Sequence, residues 1–364
     1  LHVTEALLSI RGLVTEFSTP DGVVHAVDGV SYDVHPGETV GVVGESGSGK
    51  SVTVMSILRL IPEPPGRIAA GEILLEGRNL LELNDAELRK VRGREIAMIF
   101  QDPMTSLNPV LTVGAQLAEA IQTHDKQVSD AEARRRVVEL LELVGVPNAA
   151  ARFGQYPHEY SGGMRQRAMI AMAIANRPKI LIADEPTTAL DVTIQAQVLQ
   201  VLKTAQEETA AGTILITHDL GVIAEMADRV VVMYGGKVVE TGGVDDIFHN
   251  PSHPYTLGLL SSLPRADKQV ERLEPIPGQP PSLINLPGGC SFHPRCRMSQ
   301  GRDRCRTEAP ELIDHGNGRA SACHFHDELS EEIARMQAVT GVEIEQDGDS
   351  PGEQREPDDQ QEGN

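Results

Sequence analysis

Polar and apolar residues alternate in short runs from residue 7 to 45, broken at Thr19-Pro20-Asp21-Gly22 and at Pro36-Gly37. This pattern predicts strands joined by tight turns. Thr39-Val40-Gly41-Val42-Val43-Gly44 is almost continuously apolar, as a strand buried on both faces must be. A helical spacing follows, with Met55, Leu58 and Ile61 on one side, and Pro62 stops it. Residues 95–100 predict another short strand. From about 110 to 178 the period is helical, and residues 131–144 place Val137, Val138, Leu140, Leu141 and Val144 on an amphipathic face. Strand patterns return at 180–183, 213–217 and 229–234, and Gly235-Gly236 after the last signals a hairpin. Strands alternating with helices predict an α/β fold with a largely parallel sheet.

Composition adds boundaries to this picture. Hydrophobic residues make up 40% of the 364, aromatics only 3%, and Trp is absent, so the core is aliphatic. Beyond residue 250 Pro becomes frequent, and all four cysteines lie between 290 and 323. A boundary near 250 is therefore expected, separating residues 1–250 from a small region at 251–326. Residues 327–364 hold 13 acidic side chains against Arg335 and Arg355. Such a run stays solvated, and a disordered tail is expected beyond a short helix at 328–338. The formal net charge of −21 argues against nucleic acid, whose phosphates attract clustered Lys and Arg. No run approaches the length of a membrane-spanning helix, and the first residues lack the pattern of a secretion signal. The chain is expected in the cytosol, reaching a membrane only through a partner.

Gly44-Glu45-Ser46-Gly47-Ser48-Gly49-Lys50-Ser51 fits the phosphate-binding loop G-x-x-x-x-G-K-[ST], with a strand before it and a helix after. Glycines let successive N–H groups turn toward phosphate oxygens, and the helix adds its positive end. Lys50 is placed to neutralise the β- and γ-phosphates and Ser51 to coordinate Mg²⁺. A glycine-rich turn without a ligand is the bland alternative. Against it stands the apolar run 180–183 ending in Asp184-Glu185, two carboxylates at the carboxyl edge of a sheet. Asp184 is expected to hold Mg²⁺, and Glu185 to polarise the attacking water as general base.

Tyr160-Ser161-Gly162-Gly163-Met164-Arg165-Gln166-Arg167 closely resembles the signature motif of ABC ATPases, as does Asp184-Glu185-Pro186-Thr187-Thr188-Ala189-Leu190-Asp191 their acidic strand and the turn after it. The chain order agrees: phosphate loop, Gln101, signature, Asp184-Glu185, His218. The resemblance spans roughly residues 5–326. It implies an ABC-type P-loop ATPase with a RecA-like core, a helical signature subdomain over about 103–178 and a small Cys-containing C-terminal extension. Phe100-Gln101-Asp102-Pro103-Met104-Thr105-Ser106-Leu107-Asn108-Pro109, the run Val192-Thr193-Ile194-Gln195-Ala196-Gln197 and His253-Pro254-Tyr255-Thr256 resemble oligopeptide/dipeptide importers. Importers of nickel or other small solutes share this subfamily, and a soluble ABC ATPase is a further alternative. Tyr160 and Met164 depart from the usual Leu and Gln of the signature.

Family roles then fall on matching positions. The nucleotide-binding set implied is Gly44, Glu45, Ser46, Gly47, Ser48, Gly49, Lys50, Ser51 and Val52, with Phe17 stacking on adenine. Ser161, Gly162, Gly163 and Asp191 are implied at the seam with a second ATPase subunit, where they meet its ATP. Gln101 is implied to touch Mg²⁺ and the attacking water and to report to the membrane subunits, and His218 to contact the γ-phosphate. The resemblance further implies two transmembrane permease subunits, an extracytoplasmic solute-binding protein, and a peripheral place on the cytoplasmic side of the membrane. The partner ATPase is either a second copy or a paralogue.

Cys290, Cys296, Cys305 and Cys323 follow the spacing C-x₅-C-x₈-C-x₁₇-C. Disulfides are disfavoured in the cytosol. Structural zinc usually uses closer C-x₂₋₄-C pairs, whereas a 4Fe–4S cluster tolerates irregular spacing. The expectation is an iron–sulfur cluster, with Zn²⁺ or four unligated thiols as alternatives, and with His293 and His324 as substitute ligands. In each metal-bound case the role is structural, clamping a region too small to build its own core.

Overall fold

The computed structural model describes residues 5–102, 106–188, 190–262 and 275–329. The expected acidic tail from residue 330, with most of its short helix, lies outside them, as do residues 103–105 and 189.

Strand β1 (Leu8–Thr19) and β2 (Gly22–Val34) form a long bulged hairpin closed at Thr19 and Gly22. β3 (Thr39–Val43) runs through residues 44–49 into helix α1 (Lys50–Ile57). β4 (Gly66–Leu75) and β5 (Arg78–Asn79) follow, then α2 (Asp85–Val91) and β6 (Ile96–Ile99). A helical stretch comprises α3 (Val113–His124), α4 (Asp130–Leu143), α5 (Ala149–Arg152) and α6 (Gly162–Ile174). β7 (Ile180–Asp184), α7 (Val192–Thr209), β8 (Gly212–Ile216), α8 (Leu220–Met226) and β9 (Arg229–Tyr234) complete the alternation. β10 (Lys237–Gly243), α9 (Val244–His249), α10 (Pro254–Ser261), α11 (Asp303–Thr307), β11 (Ile313–Gly316) and β12 (Arg319–Ser321) close the chain.

The strands form two sheets, β2-β1-β4-β5 and β11-β12-β10-β9-β3-β8-β7-β6. From β9 to β6 the larger sheet is parallel, and β10, β12 and β11 extend it antiparallel. Alternate residues of its central strands feed two different cores. Val40, Val42, Ile182, Ile216 and Met233 pack toward β1, β2 and α1. Val43, Leu181, Ala183, Leu215 and Val232 pack toward the helical stretch. Because successive side chains point to opposite faces, a strand buried on both must be apolar throughout, which is why β3, β7, β8 and β9 were legible.

No element was expected between Pro62 and residue 95, yet β4, β5 and α2 lie there. β4 has only its ends buried and exposes residues 69–72, so no alternation marks it. Its register comes from β1, with Leu8 against Leu75 and Phe17 against Gly66. α2 is announced locally, because Asn84 and Glu87 form a reciprocal capping box. The C-terminal region joins the main sheet at β10, through Glu240–Ser321 and Thr241–Ala320 pairing, and sends Tyr255 and Phe292 into the larger core.

Candidate functional site

The phosphate loop leaves β3 at the carboxyl edge of the parallel sheet and enters α1, with Asp184 and Glu185 ending the nearby β7. Its glycines are required by contact as well as by conformation. Gly44 has φ +149 and a Cβ there would sit 2.2 Å from the Met233 carbonyl oxygen; Gly49 has φ +103 and a Cβ would meet the Ala26 oxygen at 2.4 Å. Any larger residue would push the loop off β9 and β2.

Lys50 is buried, and its Nζ donates to the carbonyls of Gly44 (2.7 Å) and Glu45 (3.0 Å). Burial holds its ammonium below the usual lysine value, while Glu185, Asp184 and Glu45 pull the other way. The Ser51 hydroxyl donates to Asp184 Oδ1 at 3.0 Å. Burial pushes the Asp184 carboxyl up, opposed by Ser51's hydrogen bond and by Lys50, and Glu185 adds to the rise. Ser48 Oγ is buried without a hydrogen-bond partner inside the same loop. An orphaned hydroxyl, a buried ammonium and a hydroxyl–carboxylate pair together fit a phosphate chain with a divalent cation.

Glu185 gathers its own set. Its Oε2 accepts from Gln101 Nε2 at 3.0 Å and from the Thr188 hydroxyl at 2.8 Å, and His218 Nδ1 stands 3.7 Å away. The residue sits at φ +48, a left-handed conformation unusual for a side-chain-bearing residue, fixed by its N–H donating to Ile216. The structure thus brings Lys50, Ser51, Gln101, Asp184, Glu185 and His218 together, from four separate stretches of sequence.

Ser161, Gly162, Gly163 and Asp191 form a second group, and no hydrogen bond or ion pair directly joins it to the first among the described residues. Ser161 caps α6 by accepting from Met164 N–H at 3.3 Å, and Asp191 caps α7 by accepting from Ile194 N–H at 3.1 Å. Gly163 lies against Ile194, where a Cβ would come within 2.8 Å of Cγ2, whereas a Cβ on Gly162 meets nothing. Phe17 is half-buried on β1, its ring edge beside Gly66. Glu45 is engaged elsewhere: its N–H donates to the Tyr255 hydroxyl at 2.7 Å and its carboxylate pairs with Arg295. Tyr255 stood in the sequence only as a subfamily marker, and nothing there signalled Arg295, 250 positions from its partner.

The four cysteines line one small cavity of about 20 Å³, together with His253 and Phe292. All are free thiols, and burial pushes each up, Cys296 to about 11 and Cys323 to about 12. Among the described residues no group of three or more His, Cys, Asp or Glu is arranged to hold a metal ion. The expected substitute ligands are occupied, His293 Nδ1 by the Cys290 carbonyl and His324 Nε2 by that of Glu308, both at 2.9 Å. The donor set matches a 4Fe–4S cluster in number, but a space that admits about one water does not fit the cluster.

The family described as "ABC transporter" matches residues 27–188, and "Oligopeptide/dipeptide transporter, C-terminal region" matches 239–305. The oligopeptide transport ATP-binding protein OppD of Bacillus subtilis (strain 168) is 56% identical over 287 residues, 79% of this chain and 80% of its own. The dipeptide transport ATP-binding protein DppD of the same organism is 55% identical over 292 residues, 80% of this chain and 87% of its own. Among solved structures, the dimeric post-hydrolysis state of the ATP-binding cassette MJ0796 bound to ADP and Pi aligns with a TM-score of 0.59 and 28% identity. That alignment covers 65% of this chain and 98% of that one.

Proposed function

The chain belongs to the ABC transporter family of ATP-binding subunits, and on that premise we propose that it powers the import of di- or oligopeptides by closing, with a second ATPase subunit, around ATP. The carrying observation is the convergence of Lys50, Ser51, Asp184 and Glu185, with Gln101, Thr188 and His218 on Glu185. In this reading Lys50 leaves the carbonyls of Gly44 and Glu45 for the β- and γ-phosphates, and Ser48 offers its unpaired hydroxyl. Ser51, Asp184 and Gln101 would hold Mg²⁺, which when bound neutralises charge on the phosphates. Glu185 takes the proton of the attacking water at Oε2, Gln101 and Thr188 fix that carboxylate, and His218 approaches the γ-phosphate. Positioning and charge supply the catalysis.

Ser161, Gly162, Gly163 and Asp191 lie at helix N-termini, suited to oxygen anions, and serve the ATP held by the partner subunit. A groove of about 540 Å³ beside Gln101, lined by Phe100, Leu111, Gln116, Glu119, Met169 and Met172, is the seat for a permease segment. Phe100 is 43% exposed and Leu111 40%, as an uncovered interface would leave them. No helix among the described residues is long and apolar enough to cross a membrane; in this reading the permease partners hold the chain at the membrane. Residues 251–326 form the C-terminal extension, whose four cysteines match an iron–sulfur cluster in number but line a cavity too small for one.

The test is reconstitution with the permeases and solute-binding protein. Peptide-loaded binding protein is expected to stimulate hydrolysis, and Lys50→Ala to abolish it. Stimulation by nickel and not by peptides would replace the solute; equal hydrolysis by unaltered protein and Lys50→Ala would remove the site.

A further inference from the structure

The Glu45 carboxylate stands inside a loop built to accept a polyanion. An uncompensated negative charge there would repel the phosphates that Lys50 attracts. It is compensated from the far end of the chain. Arg295 Nη1 and Nη2 donate to the two Glu45 oxygens at 2.5 and 2.9 Å, a forked pair with the arginine side chain only 5% exposed. Arg295 is itself fixed by donating from Nε to the Pro277 carbonyl (2.9 Å), and it stands over the Tyr234 ring, 5.8 Å from the centroid. Tyr234, Tyr255 and Phe292 pack mutually with centroids 4.6 to 5.3 Å apart. Tyr255 then accepts the Glu45 N–H. The C-terminal region thus grips the phosphate loop at both the backbone and the side chain of one residue.

We propose that Arg295 is a positioning residue for ATP binding: by neutralising and orienting Glu45 it makes the loop at 44–51 receptive to phosphate, so the C-terminal extension sets the affinity for nucleotide. The inference rests on the reading that this loop holds ATP. A forked, buried guanidinium is the group for this task, because it stays charged and presents two parallel donors to one carboxylate. Removing it leaves a half-buried anion beside the site. Removing both members leaves neither charge nor repulsion. The reacting groups Glu185 and Gln101 are untouched, so the effect belongs to binding and not to the chemical step.

The experiment measures MgATP affinity and steady-state hydrolysis in the full chain assembled with its partners. Arg295→Gln is expected to raise KM for ATP roughly 10- to 100-fold with little change in kcat, the range for losing a supporting partner behind a binding group. Adding Glu45→Gln to that variant is expected to recover most of the loss. A merely structural clamp would show no such rescue. Should Arg295→Gln fail to fold, Arg295→Lys, which keeps the charge and loses the fork, gives an intermediate KM if the inference holds. An unchanged KM in whichever variant is measured, a fall confined to kcat, or no rescue by Glu45→Gln overturns it. Lys50→Ala separates the two readings. If it loses MgATP binding while Arg295→Gln keeps it, this inference alone falls. If it binds as the unaltered chain does, the proposed function falls as well.

Discussion

Glu185 places one carboxylate oxygen within reach of Gln101, Thr188 and His218, at the cost of a left-handed backbone. Such strain runs to about 1–3 kcal/mol and persists where surrounding contacts over-determine it. Here the N–H to Ile216 and the Thr188 hydroxyl do so. Glu185→Gln keeps the shape and the Gln101 neighbourhood but cannot take a proton. It is expected to leave MgATP binding intact and to cut turnover by about 10²–10⁴-fold, read from single-turnover hydrolysis in the assembled transporter. Unchanged hydrolysis would remove Glu185 from the role of base. The carboxylate pair was legible because an apolar strand ending in two acids has few other uses beside an intact phosphate loop. Arg295 was illegible, since one arginine in a Pro-rich region carries no local signal of what lies across from it.

At the scale of elements, the helix N-termini at Ser161 and Asp191 are tied to each other through Gly163. The absence of a Cβ lets α6 approach Ile194 of α7, and Arg167 reinforces the contact by donating to Gln197 at 2.7 Å. The two capped ends are therefore presented as one unit. Gly163→Ala is expected to destabilise the chain by about 1–3 kcal/mol through overpacking. Ile194→Ala in the same chain is expected to relieve most of that, because it deletes the clashing methyl. Urea unfolding of the single and double variants measures the coupling, and simple additivity would deny the contact. The reading of residues 110–178 as helical was available from periodicity, and so was the amphipathic face of α4. β4 was not, because a strand with exposed middle residues shows no period until β1 supplies its partner.

Across the whole molecule, Glu240 joins β10 to the start of α10. Its carboxylate accepts the N–H groups of Ser252 and His253 and is almost fully buried. Burial pushes this carboxyl from the ordinary 4.5 up to about 7. Between those values the folded chain holds a proton that the unfolded chain has released, so stability from this site falls as pH rises through the window. His253 beside it is held neutral, from the ordinary 6.5 down to about 3, by the same burial; only the unfolded chain protonates it between those values, so its contribution rises with pH and opposes that of Glu240. Glu240→Gln is expected to remove the falling contribution, so that stability rises more with pH than in the unaltered chain, measured as urea midpoints from about pH 5 to about pH 8. An identical slope in the variant would place the effect elsewhere. The link matters because α10 carries Tyr255 to the phosphate loop.

The chain by itself determined the nucleotide loop, the acidic strand end, the signature turn and the alternation of strands and helices. Each of these is a local pattern, set by steric demands on glycine, by two-sided burial or by helix capping, and each can be read within a dozen residues. Tertiary structure alone decided that β11 and β12 extend the main sheet, that four thiols share one cavity, and that Arg295 meets Glu45. Those pairings join residues far apart in sequence. They exist only because a parallel sheet and its antiparallel edge bring such segments to one place, and no local periodicity encodes the meeting.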